Sequence, residues 1–207
     1  MSRVGGDDTM STPSDGTTVA IVAMLAGDAE RLVRFHRTLS PETTHRRFFS
    51  VHPELSDQEV EHFTHVDHID REALVAIHDG EIVGVARFER LSSGGDVAEV
   101  AFVVADSWQG RGLGTLLFAR LWAVARARGI HRLTADVLRD NTAMLTVFRH
   151  AGLEVAEHGE REVVHVSLTV SGPESGAAEA SSSEAVRARP PGFDVVEVGE
   201  CDLGDGV

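Results

Sequence analysis

The chain of 207 residues carries 33 Asp and Glu against 19 Lys and Arg, a formal charge of −14. All 19 of the latter are Arg: there is no Lys, and no Tyr either. Those absences exclude a Walker-type phosphate loop and Schiff-base or pyridoxal chemistry, which need Lys, and any tyrosine general acid. The acidic balance speaks against nucleic-acid binding through overall charge. The only cysteine, Cys201, allows no disulfide framework and no thiolate metal cluster, which suits a reducing cytoplasm. No apolar run approaches the roughly 20 residues of a membrane span, and the polar N-terminus lacks a signal-peptide core. A cytoplasmic protein with neither membrane nor nucleic-acid partners is expected.

Residues 1–18 are mostly Gly, Ser, Thr and Asp, and 171–207 run from SGPESGAAEASSSEA through RPPG to an acidic end. Neither stretch can offset its ordering entropy by burial, so both are expected to be disordered; only FDVVEV (193–198) alternates like a short strand. One domain, residues 19–170, lies between them. It opens with a strand at about 18–24. A helix over 28–39 follows, where Ala29, Leu32, Val33, Phe35 and His36 fall near helical spacing. Ser40-Pro41-Glu42 caps a second, short helix and puts Pro at its first position. Ser56 and Glu59 form a capping box that opens a third. Strands at 73–78 and 81–90 flank an Asp79-Gly80 turn and make a hairpin. A turn at 92–95 leads to a strand at 96–104, helix 110–128, strand 131–138, helix 141–151 and closing strands near 153–157 and 162–169. Antiparallel strands first, then strands alternating with helices, predict an α/β fold with a mixed, mostly antiparallel central sheet and helices on both faces.

The most informative stretch is AFVVADSWQGRGLGTLLFARLWAVA (101–125). An apolar strand reaches Val104, a polar turn follows, and glycines alternate at Gly110, Gly112 and Gly114 before an amphipathic helix. Glycines at such a junction let successive backbone N–H groups point into one concavity at a helix N-terminus, which binds anions and above all a pyrophosphate. Arg111 adds a fixed positive charge. The dinucleotide fingerprint G-x-G-x-x-G fails because Thr115 stands at its third Gly.

What remains, Gln109-Gly110-Arg111-Gly112-Leu113-Gly114, resembles the coenzyme A loop of the GCN5-related N-acetyltransferase (GNAT) superfamily. A second element agrees: Arg139-Asp140-Asn141, then Met144, Phe148, Gly152 and Leu153, is similar to the superfamily's strand–Asn–helix–Gly–apolar motif. Asn141 caps that helix and Gly152 serves its left-handed exit. The flanking segments LSPETTHRRFF, REALVAIHDGEIVGVARF and VLRDNTAML narrow the resemblance to the catalytic domain of bacterial Pat-type protein lysine acetyltransferases. The resemblance implies a sheet splayed at the acetyl-CoA site, often at a bulge. It implies that backbone groups of Phe102, Val103 and Val104 hold the pantetheine arm and polarise the thioester. Gln109 to Thr115 would hold the pyrophosphate, and Asn141, Met144 and Phe148 would approach the cofactor.

Acetyl transfer to an amine needs the neutral amine, and a lysine of pKa about 10.4 is deprotonated in roughly one molecule in two thousand at pH 7. A base in reach is therefore useful. Glu99 opens the apolar run VAFVV and shares a strand face with Ala101 and Val103, surroundings expected to raise a carboxyl pKa. The resemblance puts the catalytic glutamate at this position. Where many superfamily members carry a tyrosine acid, this chain has Phe148, and the departing thiolate is a tolerable leaving group that can take its proton from water. The stretch HFTHVDHID places His62, His65 and His68 at metal-like spacing, but the reaction needs no metal and none is expected. Arg126, Arg128 and Arg132 are candidates for the coenzyme 3′-phosphate, and a solvated helix end with dipole-favourable charges explains them equally well. The expected partners are acetyl-CoA as co-substrate and lysine side chains of other proteins, the chain itself being a monomer or weak homodimer. A small-molecule amine acceptor and a non-catalytic acyl-CoA sensor are the alternatives. Residues 1–18 and 171–207 hold −2 and −6 of the net charge, so the acidity is largely a property of the tails.

Overall fold

The computed structural model describes residues 9–11, 17–151, 153–159 and 162–169. Among these, eight strands form one open sheet: β1 (Thr9–Ser11), β2 (Val19–Ala23), β3 (Arg71–His78), β4 (Glu81–Arg90), β5 (Val97–Val104), β6 (Arg132–Leu138), β7 (Glu154–His158) and β8 (Val163–Thr169), in the order β1-β2-β3-β4-β5-β6-β8-β7. Five helices among the described residues cover it: α1 (Ala29–Thr38), α2 (Pro41–Phe48), α3 (Asp57–Thr64), α4 (Leu113–Ala127) and α5 (Thr142–Arg149). All neighbouring pairs are antiparallel except β5 and β6, which α4 connects as a crossover. Among the described residues no helix is long and apolar enough to cross a membrane.

Local chemistry sets the element ends. Ser40 Oγ accepts from the Thr43 N–H at 3.1 Å with Pro41 at the first helical position. At α3 the capping box is complete: Ser56 N donates to Glu59 Oε2 at 2.8 Å and Glu59 N to Ser56 Oγ at 3.3 Å. Asp79 and Gly80, at φ 48° and 80°, make the two-residue turn whose twist matches the flanking strands. α4 ends in paired Gly129 N to Arg126 O and Ile130 N to Ala125 O bonds, with Gly129 left-handed.

Two differences from the sequence reading stand out. Thr9–Ser11, inside the segment expected to be unstructured, pairs with β2. A sheet edge offers unpaired backbone groups, which an extended chain can satisfy whatever its side chains. The expected bulge lies elsewhere too: the β4–β5 register runs unbroken from Gly84↔Val104 to Arg90↔Ala98, and the irregularity is in the β3–β4 pairing at Ala76/Ile77. The rest of the two tails, FDVVEV and Gly152 lie outside the described residues.

The sheet buries both faces. Val100, Phe102 and Val104 join α4 and α5 in one core, where the rings of Phe102, Phe118 and Phe148 meet with centroids 5.3–5.9 Å apart. Val85 and Val103 turn to the other face, against Leu32, Phe35, Phe48 and Phe63 of α1–α3. α4 lies so close to β4 that a Cβ on Gly84 would come within 2.9 Å of Leu117 Cδ1.

Candidate active site

The site begins where the sheet comes apart. β5 and β6 pair only at Val97, Ala98 and Glu99, against Arg132, Leu133 and Thr134. Beyond that point β5 stays on β4 and β6 stays on β8, so a cleft opens along residues 100–104. Such a parted pair offers free ladder groups to an extended ligand. Glu99 is the last residue of β5 to pair across, and it is half-buried. Register puts Arg71, Glu89, Glu99 and Thr134 in one row across the α1–α3 face, with Ala73, Arg87 and Ala101 in the next. Glu89, directly opposite Glu99, has its carboxyl pushed up by burial, against the pull of Arg71 and Arg87. Neither Glu89 nor Arg87 was singled out in the sequence; both emerge only when the hairpin register puts them beside Glu99.

The far end of β5 carries the glycine loop. Gly110 and Gly112 adopt φ of 72° and 78°, and Gly112 is the N-cap of α4. A glycine cap has no side-chain acceptor to offer the first helical N–H groups, and nothing stands within 4 Å of where its Cβ would be. The first N–H groups of α4 are thus left without a side-chain acceptor and with open space beside Gly112, as a pyrophosphate site requires. Arg111 lies 5.1 Å over the ring of Trp108. Gly114 and Leu113 are buried against the sheet, while Thr115 is half-buried.

A polar brace the sequence reading missed holds this loop. Asp106, in the turn after β5, accepts from Ser40 N at 2.9 Å, Ser40 Oγ at 2.6 Å and Thr43 Oγ1 at 2.8 Å. Partial burial works to raise the Asp106 pKa, but these bonds outweigh it and hold the carboxyl below its usual range. Gln109 Nε2 reaches Thr43 Oγ1 at 3.2 Å and the Val104 carbonyl at 3.1 Å. Gln109 therefore ties the end of β5 to α2. Its separation of more than sixty residues from Thr43 left no local signal.

Other expected residues take structural places. Asn141 is 1% exposed, and its Oδ1 accepts from Met144 N at 3.1 Å, a helix cap. Met144 and Phe148 are fully buried in the core beneath the cleft. Arg128 pairs with Glu72 at the C-terminal end of α4, and Arg126 and Arg132 lie at the same end. That end is about 25 Å from Gly112 at 1.5 Å per residue, so the trio does not join the glycine loop. The histidines diverge: His62 Nδ1 meets Arg71, His65 Nδ1 the Glu61 carbonyl, and His68 Nδ1 approaches Glu72 Oε1 at 2.8 Å. Asp67 spends one oxygen on the N–H groups of Ile69, Asp70 and Arg71.

Comparison with known proteins gives this geometry a context. Residues 33–153 match the Acetyltransferase (GNAT) family. Acetyltransferase Pat of Mycolicibacterium smegmatis is 37% identical over 131 residues, covering 62% of this chain and 39% of that protein. The match therefore spans well under half of that relative. Acetyltransferase PA5475 of Pseudomonas aeruginosa is 33% identical over 147 residues, 69% of this chain and 78% of its own. Among solved structures, the GNAT domain of S. lividans PAT superposes with a TM-score of 0.74 at 39% identity, covering 78% of this chain and 96% of that one.

Proposed function

This chain belongs to the acetyltransferase (GNAT) family, which uses acetyl-CoA as co-substrate, and on that premise we propose that it acetylates lysine side chains of other proteins with Glu99 as general base. The observation that carries the reading is the position of Glu99 at the fork of β5 and β6. A carboxylate there stands at the head of the cleft whose far end is the glycine loop, the two features that coenzyme binding and amine activation each need. The chain's similarity to Pat of M. smegmatis supports the protein-lysine acceptor.

In this reading the amine gives a proton to Glu99 and attacks the thioester carbonyl carbon. A C–N bond forms as the C–S bond breaks, and the thiolate leaves to take a proton from water. Backbone groups of Phe102, Val103 and Val104 along the open edge of β5 orient the acyl carbonyl and polarise it. The N–H groups from Leu113 to Thr115, with Arg111, hold the pyrophosphate. With no Lys in the chain, it cannot acetylate its own lysine side chains. A cytoplasm supplied with acetyl-CoA is the compartment the reading requires.

The test is thiol release from acetyl-CoA with a panel of lysine-containing proteins and a panel of small amines, for wild type, Glu99→Gln and Glu89→Gln. Glu99→Gln is expected to lose about 10²- to 10⁴-fold in kcat, with the KM for acetyl-CoA little changed. Full activity in Glu99→Gln removes the base assignment. Turnover confined to the small amines removes the protein acceptor.

A further inference from the structure

Beneath α1–α3, on the same sheet face as Glu99, lies a cavity with about 440 Å³ of empty space including its open mouth. Its walls are apolar: Met24, Leu32, Phe35, Phe48, Phe63 and Val103 are among them. Among the described residues, the only ionisable side chains in the wall are His36, Arg47 and Arg87, and no carboxylate lines it. Arg87 is 7% exposed, sits 4.2 Å over the Phe63 ring and, among the described residues, donates one hydrogen bond, to the Phe63 carbonyl at 3.0 Å, and makes no ion pair. Burial, then the nearby Arg47, push its pKa down to about 9 against the attraction of Glu89, which forms no ion pair with it, and this leaves it cationic at neutral pH. A buried cation with most of its five donors uncommitted is costly unless an anion meets it. Burial holds His36 below its ordinary pKa and so neutral, but the two guanidiniums, Arg47 and Arg87, still make the cavity repellent to a lysine ammonium, so it is not the acceptor's channel.

Its place in the sheet says what the anion belongs to. Arg87 pairs with Ala101, and Val103, two residues on along β5, stands at the cleft where the thioester is to be held. Two residues of strand are about 7 Å, the sum of the ~4 Å between the end carbons of a four-carbon chain and the ~3 Å of a charge-assisted hydrogen bond from its carboxylate. We propose that this cavity is an acyl-donor pocket for coenzyme A thioesters of short dicarboxylic acids, succinyl-CoA being the type, with the Arg87 guanidinium receiving the terminal carboxylate. The proposal rests on the acyl-transfer reading above and adds a donor class to it. The bond changes are the same: the amine nitrogen joins the C1 carbonyl of the acyl group, the C–S bond breaks, the amine proton goes to Glu99, and the distal carboxylate stays ionised throughout. A planar fork of donors suits that carboxylate as a bidentate partner, and the apolar walls suit its methylenes.

Calorimetric titration of the full chain with acetyl-, butyryl- and succinyl-CoA tests this without depending on turnover, because butyryl has the same chain length and no charge. Succinyl-CoA is expected to bind at least about tenfold tighter than butyryl-CoA, the scale of one hydrogen bond to a charged group. Arg87→Met is expected to bring that ratio to about one, and Arg87→Lys to restore part of it. Butyryl-CoA binding as tightly as succinyl-CoA in wild type overturns the proposal, as does a ratio that Arg87→Met leaves intact. If Arg87→Met fails to fold, the wild-type ratio decides alone. Selective succinyl-CoA binding with no acyl transfer to any acceptor upholds the pocket and removes the transferase reading; acetyl transfer without selectivity does the reverse.

Discussion

The glycine loop can be tested with a matched pair of substitutions, because α4 is flanked by two glycines in nearly the same state. Gly112 precedes the helix at φ 78° and Gly129 follows it at φ 76°, and neither has an atom within 4 Å of its Cβ position. A carboxylate side chain introduced at either place meets no clash and bears the left-handed strain of about 1 kcal/mol. The helix dipole then separates the two variants. It offsets part of the strain in Gly112→Asp and adds about 0.5 kcal/mol to the cost of Gly129→Asp. Gly129→Asp should therefore destabilise by about 1.5–2 kcal/mol and Gly112→Asp by about 0.5–1 kcal/mol. At roughly 2–4 °C per kcal/mol for a domain of this size, the melting temperatures should fall in that order. Coenzyme binding should run the other way. A carboxylate within about 5 Å of a phosphate charge costs about 1–3 kcal/mol between the dielectric limits of water and a protein surface. That is roughly a 5- to 150-fold loss of acetyl-CoA affinity for Gly112→Asp. Gly129→Asp, about 25 Å away, should leave affinity alone. Thermal melts and acetyl-CoA calorimetry on the two variants read both quantities. If Gly112→Asp keeps affinity within twofold of wild type, the pyrophosphate does not sit at the start of α4.

Three further outcomes follow from individual contacts. Asp106→Ala removes the acceptor of three hydrogen bonds and should cost about 1–3 kcal/mol while weakening acetyl-CoA binding, since the brace leads into the loop; unfolding in urea with a stability change under about 0.5 kcal/mol would show the brace to be idle. Phe148→Ala should cost about 3–5 kcal/mol, because the side chain is fully buried against Phe102 and Phe118; a loss under about 1 kcal/mol would mean that Phe148 is a surface residue awaiting the coenzyme. In acid, burial works to raise the Asp67 and Asp106 pKa values, but their hydrogen bonds win and hold both folded values below the ordinary carboxylate range near ~3.9. Their stabilisation is therefore complete above the unfolded pKa and lost as pH falls through the folded one. Melts from pH 7 down to pH 2 should show Asp67→Asn and Asp106→Asn flattening the acid limb; unchanged acid limbs count against these pairings.

The elements themselves were legible in the chain because their causes are local. The capping box at Ser56 and Glu59, Pro41 behind Ser40, the Asp79-Gly80 turn and the glycines before α4 each act within a few residues, and each element forms where they predict. The coenzyme loop belongs to the same class, since it is one junction of strand and helix. What tertiary structure alone decided depends on register and on contacts far apart in sequence. Pairing of β4 with β5 put Glu89 opposite Glu99 and Arg87 opposite Ala101. Packing of α2 against the turn after β5 joined Ser40 and Thr43 to Asp106. Arg128, one of three candidates for the coenzyme 3′-phosphate, pairs with Glu72 fifty-six residues away, and Phe148 packs into the core. No local pattern encodes such meetings. They are set by which sheet face a residue occupies, and a one-residue change of register would reverse that face.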